Sequence, residues 1–114
     1  MEIQPRFEVK YLEEAVSFLQ SLPIKARTKV LYNIVKAQHE NDPELFKKLT
    51  DDIWEFRTRY NGVAYRLFAF WDKDTKAMVI ATNGLIKKTQ KTPPREIQRA
   101  EMIMKTYYEQ KGQS

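Results

Sequence analysis

Residues 54 to 71 read Trp54-Glu55-Phe56-Arg57-Thr58-Arg59-Tyr60-Asn61-Gly62-Val63-Ala64-Tyr65-Arg66-Leu67-Phe68-Ala69-Phe70-Trp71. Trp54, Phe56 and Tyr60 alternate with Glu55, Arg57 and Arg59, the period of two that a half-buried strand requires. Asn61-Gly62 is a strong hairpin signal, because a type I′ turn needs positive φ at both central positions. A two-residue loop also fixes the register. Tyr60 then pairs with Val63, Arg59 with Ala64, Thr58 with Tyr65, Arg57 with Arg66, Phe56 with Leu67 and Trp54 with Ala69. One face of this ribbon carries Trp54, Phe56, Tyr60, Val63, Tyr65, Leu67 and Trp71 and must be core. The other carries Glu55, Arg57, Arg59 and Arg66, with Phe68 and Phe70 further along.

Two arginines directly opposite each other repel. With ~6 Å between the charged heads, the cost is about 0.7 to 3 kcal/mol, depending on the effective dielectric. An anion held between the guanidiniums relieves it. So does Glu55, two residues from Arg57 on the same face. The expectation is the anion site.

A second basic group follows a third strand, Ala77 to Ile86, which is reached through the turn Asp72-Lys73-Asp74-Thr75. It consists of Lys87, Lys88, Lys91 and Arg95, with no acid until Glu96. Thr89, Gln90 and Thr92 add donors suited to phosphate oxygens. Thr92-Pro93-Pro94 reads as the N-cap and first turn of a last helix, whose free N–H groups also attract phosphate. That helix runs to about Gln110 and buries Ile97, Ala100, Met104 and Tyr107 or Tyr108.

Toward the N-terminus the period becomes helical. Leu12, Ala15, Val16, Leu19 and Leu22 form one stripe, ended by Ser21-Leu22-Pro23. Ala26, Val30, Ile34 and Ala37 form a second, widened by Leu31 and Val35 and stopped by Asn41-Asp42-Pro43. So short a link predicts an antiparallel helix hairpin. Met1 to Phe7 is expected to add a short strand, and Pro43 to Leu49 one more turn of helix. The expected architecture is α+β in a single domain spanning residues 1–114: an N-terminal helix hairpin, an antiparallel three- or four-stranded sheet and a C-terminal helix.

Composition narrows the chemistry. With no cysteine, disulfides, thiolate catalysis and cysteine-ligated zinc are excluded, and one histidine excludes a His-rich metal site. No cofactor or metal is therefore expected. His39 lies at a helix C-terminus, where a cation complements the dipole. Asp72 and Asp74 open like a calcium loop, but the later ligands and glycine are missing. Met1 to Glu14 is acidic and does not read as a signal peptide. The longest apolar runs, Leu67 to Trp71 and Ala77 to Ala81, are too short to span a bilayer. A cytoplasmic location without membrane contact is expected. Net charge is +5 and unevenly placed. Residues 1–52 hold 8 basic and 9 acidic groups, a net of −1, and residues 53–114 hold 12 and 6, a net of +6. An anionic partner on the second half fits, nucleic acid being the commonest.

Two strings carry a resemblance. One is Ile53-Trp54-Glu55-Phe56-Arg57, then Asn61-Gly62, then Tyr65-Arg66-Leu67-Phe68. The other is Asn83-Gly84-Leu85-Ile86-Lys87-Lys88-Thr89-Gln90-Lys91-Thr92-Pro93, with Arg95-Glu96-Ile97 and Ala100 behind it. Together they resemble the phage-derived HigB-like branch of the RelE/ParE toxin superfamily. The resemblance implies the toxin of a bacterial type II toxin–antitoxin pair, an mRNA endoribonuclease acting on the ribosome. It implies a helix-turn-helix antitoxin as partner. By position it implies catalytic roles for Arg57, Arg66, Lys87 and Lys88, and the remaining cations of the hairpin face and the basic loop, Arg59, Lys91 and Arg95, are expected to bind RNA. Glu55 stands where RelE has a second lysine, and no tyrosine appears early in the last helix, so the general base stays open. The competing class does no chemistry: a ParE-like gyrase inhibitor acting by protein contact, or a nucleic-acid-binding accessory protein.

Overall fold

A computed structural model describes residues 4–87 and 91–112. In chain order the elements are β1 (Glu8–Tyr11), α1 (Glu13–Ser21), α2 (Ile24–His39), β2 (Phe46–Lys48), β3 (Trp54–Tyr60), β4 (Val63–Trp71), β5 (Met78–Lys87) and α3 (Pro94–Gly112). They build one five-stranded sheet in the order β1-β5-β4-β3-β2. All pairings are antiparallel except β1 on β5.

The hairpin forms in the expected register, every pair from Trp54–Ala69 to Tyr60–Val63 included. Asn61 (φ 51°) and Gly62 (φ 74°) both take the left-handed conformation that the turn demands. Period-two alternation then sorts side chains into two cores, one on each face. Phe56, Tyr65, Leu67, Ala69, Val79 and Ala81 pack against Ala15 and Leu19 of α1 and Ala26, Val30, Ile34 and Ala37 of α2. On the opposite face Phe68, Phe70 and Ile80 pack against Ala100, Ile97, Met104, Tyr107 and Tyr108 of α3.

The helix pair breaks at Leu22-Pro23 as expected, and the two helices lie over β5 and β3, the strands flanking β4. Three expectations need correction. The sheet has five strands rather than three or four, and one pairing is parallel. The first strand among the described residues is Glu8–Tyr11; of the strand expected over Met1 to Phe7, residues 1–3 lie outside the described residues, and Phe7 instead buries its ring against Phe46, Phe56 and Trp71. Pro43 to Leu49 holds strand β2, not helix: pairing with Trp54–Phe56 stacks Phe46 on Phe56 at 4.2 Å between ring centroids. That aromatic burial outweighs local propensity. No described helix is long and apolar enough to cross a membrane.

Candidate nucleic-acid interface

The α3 face of the sheet is apolar at one end and cationic at the other. Toward the Asn61-Gly62 turn, α3 gives way to Arg57 beside Arg66, with Arg59 one row further on. β5 contributes Lys87, which pairs with Ala64 and so shares the row of Arg59.

Lys87 reaches this face because of a bulge. Leu67 pairs with Gly84 while Ala69 pairs with Ala81, so Thr82 and Asn83 together oppose Phe68. One extra residue inverts the alternation beyond it. Ile80 faces α3 before the bulge, and Leu85 and Lys87 do so after it. The kink is held by polar contacts: the Thr82 hydroxyl bonds Asn83 Oδ1 at 2.7 Å, and Asn83 Nδ2 donates to the Glu96 carbonyl at 3.4 Å. Gly84, just past it, lets the Phe18 ring lie flat on the strand; a Cβ there would sit 2.2 Å from ring carbons. An isolated glycine in a strand pattern marks a bulge or a close approach, and Gly84 marks both.

Glu55 occupies the gap between the arginines. It is 3% exposed, with Oε1 3.2 Å from Arg66 Nε and Oε2 3.7 Å from Arg57 Nε. The sequence expectation of an external anion between them is thereby corrected: the chain supplies its own carboxylate. Glu55 also accepts a 3.0 Å hydrogen bond from the Thr92 hydroxyl, which itself accepts one from Lys87 Nζ at 3.0 Å. Thr92, expected as a helix cap and a donor to phosphate oxygens, instead ties the entry of α3 to the buried charges. Sequence reasoning missed that role, since no local pattern reveals a partner 37 positions away.

The cluster remains cationic. Arg57, Arg59, Arg66 and Lys87 outnumber Glu55 and the rim residue Glu44, which lies 3.9 Å from Arg57. Arg66 is 4% exposed, and neither its Nε nor that of Arg57 makes a hydrogen bond. Burial lowers the proton affinity of Arg66; Glu55 opposes this, and Arg57 and Arg59 reinforce it. Lys87 is likewise pulled below the ordinary lysine range, by burial first and then by Arg66, with Glu55 opposing. Beside Arg57, Arg59 and Arg66 lies a cavity of about 150 Å³, also bordered by Glu44 and Thr58. The buried Arg66 and half-buried Arg57, each with an Nε that makes no hydrogen bond, and the exposed Arg59 beside a small cavity suit a phosphate group. A lysine whose proton affinity is lowered gives up its proton more readily than an ordinary one, which suits proton transfer.

The structure thus gathers Arg57, Arg59, Arg66 and Lys87. Lys88 lies outside the described residues. Lys91 is exposed just ahead of α3. Arg95 lines a separate groove with Glu14, Phe18, Asn83 and Arg99, between α1 and α3. Its position in the first turn of α3 turns it toward α1 rather than toward the arginine cavity. Asp72 and Asp74 form a turn, the Asp74 N–H donating to Asp72 Oδ1 at 2.8 Å. No three metal-binding side chains of the His, Cys, Asp and Glu types cluster among the described residues.

Two solved structures share this architecture, so the fold is RelE-like. A mutant of the E. coli toxin RelE in the free state superposes with a TM-score of 0.61, covering 84% of this chain and 95% of that one at 14% identity. The RelBE2 toxin–antitoxin complex of Mycobacterium tuberculosis gives 0.58, over 77% of this chain and 98% of the matched one at 18% identity. By sequence, residues 17–105 match the family of phage-derived Gp49-like proteins (DUF891), and the chain belongs to that family. Curated proteins offer no match.

Proposed function

We propose that this chain is the toxin of a type II toxin–antitoxin pair, a metal-independent endoribonuclease that cuts mRNA on the ribosome. The observation that carries the reading is the cationic cavity: Arg57, Arg59 and Arg66 around about 150 Å³, with Lys87 linked to them through Thr92 and Glu55. The RelE-like fold and the toxin–antitoxin complex among its structural relatives support it. The ribose 2′-hydroxyl oxygen attacks the adjacent phosphorus, its proton passing to solvent water, and a 2′,3′-cyclic phosphate forms as the bond to the 5′-oxygen breaks. Arg57 and Arg66 stabilise the charge that grows on the phosphoryl oxygens. Lys87 protonates the leaving 5′-oxygen, a role matched to its lowered proton affinity. Arg59 and the exposed Lys91 extend RNA contact beyond the cavity. The cognate helix-turn-helix antitoxin silences the site in the cytoplasm.

Primer extension on cellular mRNA after brief expression tests the reading. New 5′ ends inside translated frames are expected, and they should vanish in the Arg66→Ala variant. Growth arrest with intact transcripts would overturn it and favour a gyrase inhibitor that works by contact.

A further inference from the structure

Helix α2 has two apolar faces, and the fold uses one. Ala26, Val30, Ile34 and Ala37 are buried against the sheet. On the outer side Ile24 is 74% exposed, Leu31 36% and Val35 53%, with Tyr32 at 59%. Ile24, Thr28, Leu31 and Val35 follow one another at spacings of four, three and four. That is the seam of a helix that packs on another helix. A shallow concavity of about 430 Å³ continues the seam from Ile24 and Thr28 to Tyr60.

Charge restricts what fits there. α2 carries Lys25, Arg27, Lys29 and Lys36 and no acidic residue. Arg27 turns inward to the Leu22 carbonyl, at 3.1 Å. Lys25, Lys29 and Lys36 are exposed along one edge of the seam, Lys29 resting over the Tyr32 ring at 5.1 Å. A second copy of the chain would set lysine against lysine. Nucleic acid would leave three aliphatic side chains with nothing to pack on. An amphipathic helix with acidic flanks satisfies both features.

We propose that the outer face of α2 is the docking surface for an acidic amphipathic helix of a protein partner, the antitoxin. That partner's identity rests on the toxin reading; the surface and its chemistry do not. α2 lies across the sheet from the arginine cavity, so a helix docked there leaves Arg57 and Arg66 uncovered. The partner then holds the toxin through α2 and silences it through a different segment.

The test uses the full chain and a three-heptad helical peptide with leucine on its seam and glutamate on its flanks, followed by calorimetry and amide chemical shifts. Binding is expected, with shift changes centred on Ile24, Leu31, Tyr32 and Val35. Leu31→Asp should weaken it at least about tenfold, and Lys25→Glu/Lys29→Glu/Lys36→Glu should transfer preference to a lysine-flanked peptide. Absence of binding, or binding indifferent to these changes, overturns the proposal. So does self-association abolished by Leu31→Asp in sedimentation, or co-sedimentation with anionic vesicles stronger than peptide binding. Because the readout is physical binding, a protein that binds the peptide yet cuts no RNA contradicts the nuclease alone.

Discussion

Glu55 decides what a substitution among its neighbours does. Opposed arginines alone would suggest that removing one relieves strain, but Arg66 is buried on a carboxylate that is itself 3% exposed. Arg66→Ala should therefore lower stability by about 1–3 kcal/mol, because Glu55 loses its nearer arginine and is left with Arg57, the Thr92 hydroxyl and the charge of Lys87. Urea denaturation checks this, and the double variant Glu55→Gln/Arg66→Ala should recover most of the loss. Activity should fall by roughly 10² or more in Arg66→Ala whether or not stability is restored. Lys87 sets a second expectation at this scale. Its proton affinity is already depressed by burial and Arg66 while Glu55 props it up. Glu55→Gln removes the prop, so the alkaline limb of the pH–rate profile should move to lower pH. A limb that stays in place would take Lys87 out of the proton transfer.

Among the elements, β5 matters most to the site because its bulge aims Lys87. Gly84→Ala would drive a methyl into the Phe18 ring and lift α1 from the sheet, at a cost of about 1–3 kcal/mol in thermal or chemical denaturation. The far end of α3 is fixed separately. Tyr107 donates to Asp72 at 2.6 Å, and Lys111 lies 2.9 Å from the same carboxylate. Burial pushes the Asp72 carboxyl up, but the bonds from Tyr107, Lys111 and the Asp74 N–H outweigh this, lowering it from 3.8 to about 2. A carboxylate lowered in the folded state adds stability that is complete above its unfolded value and lost as pH falls through the folded one. Wild type should thus lose stability between about pH 4 and pH 2, and Asp72→Asn should flatten that part of the curve. The elements also show where sequence was readable. The β3–β4 hairpin, and with it the grouping of Arg57, Arg59 and Arg66, follows from one Asn-Gly turn and strict alternation. β1 and β2 did not, because strands of four and three residues carry little periodicity and pair with partners distant in sequence. The facing of Lys87 was hidden too, since alternation read straight through Thr82-Asn83 puts it on the wrong side.

Across the whole molecule the +5 charge resolves into two cationic surfaces on opposite sides of one sheet. Counting by halves hid the second, because the acids of residues 1–52 lie outside α2. Helix α2 is itself basic, although residues 1–52 together carry a net charge of −1. Affinity for an acidic partner should consequently fall with salt at either surface, so ionic strength alone does not tell them apart. Substitution does: Lys25→Glu/Lys29→Glu/Lys36→Glu should leave RNA cleavage unchanged while weakening an acidic helix, and Arg66→Ala should do the reverse. A cleavage assay and a binding titration on the two purified variants check that separation. The central claim, that the arginine face is a nuclease site, is tested most directly in a purified translation reaction programmed with one end-labelled mRNA. Wild-type protein should produce cuts within the translated frame that end in a 2′,3′-cyclic phosphate, and folded Arg66→Ala should produce none. Intact mRNA with wild type, or equal cutting by folded Arg66→Ala, would contradict it.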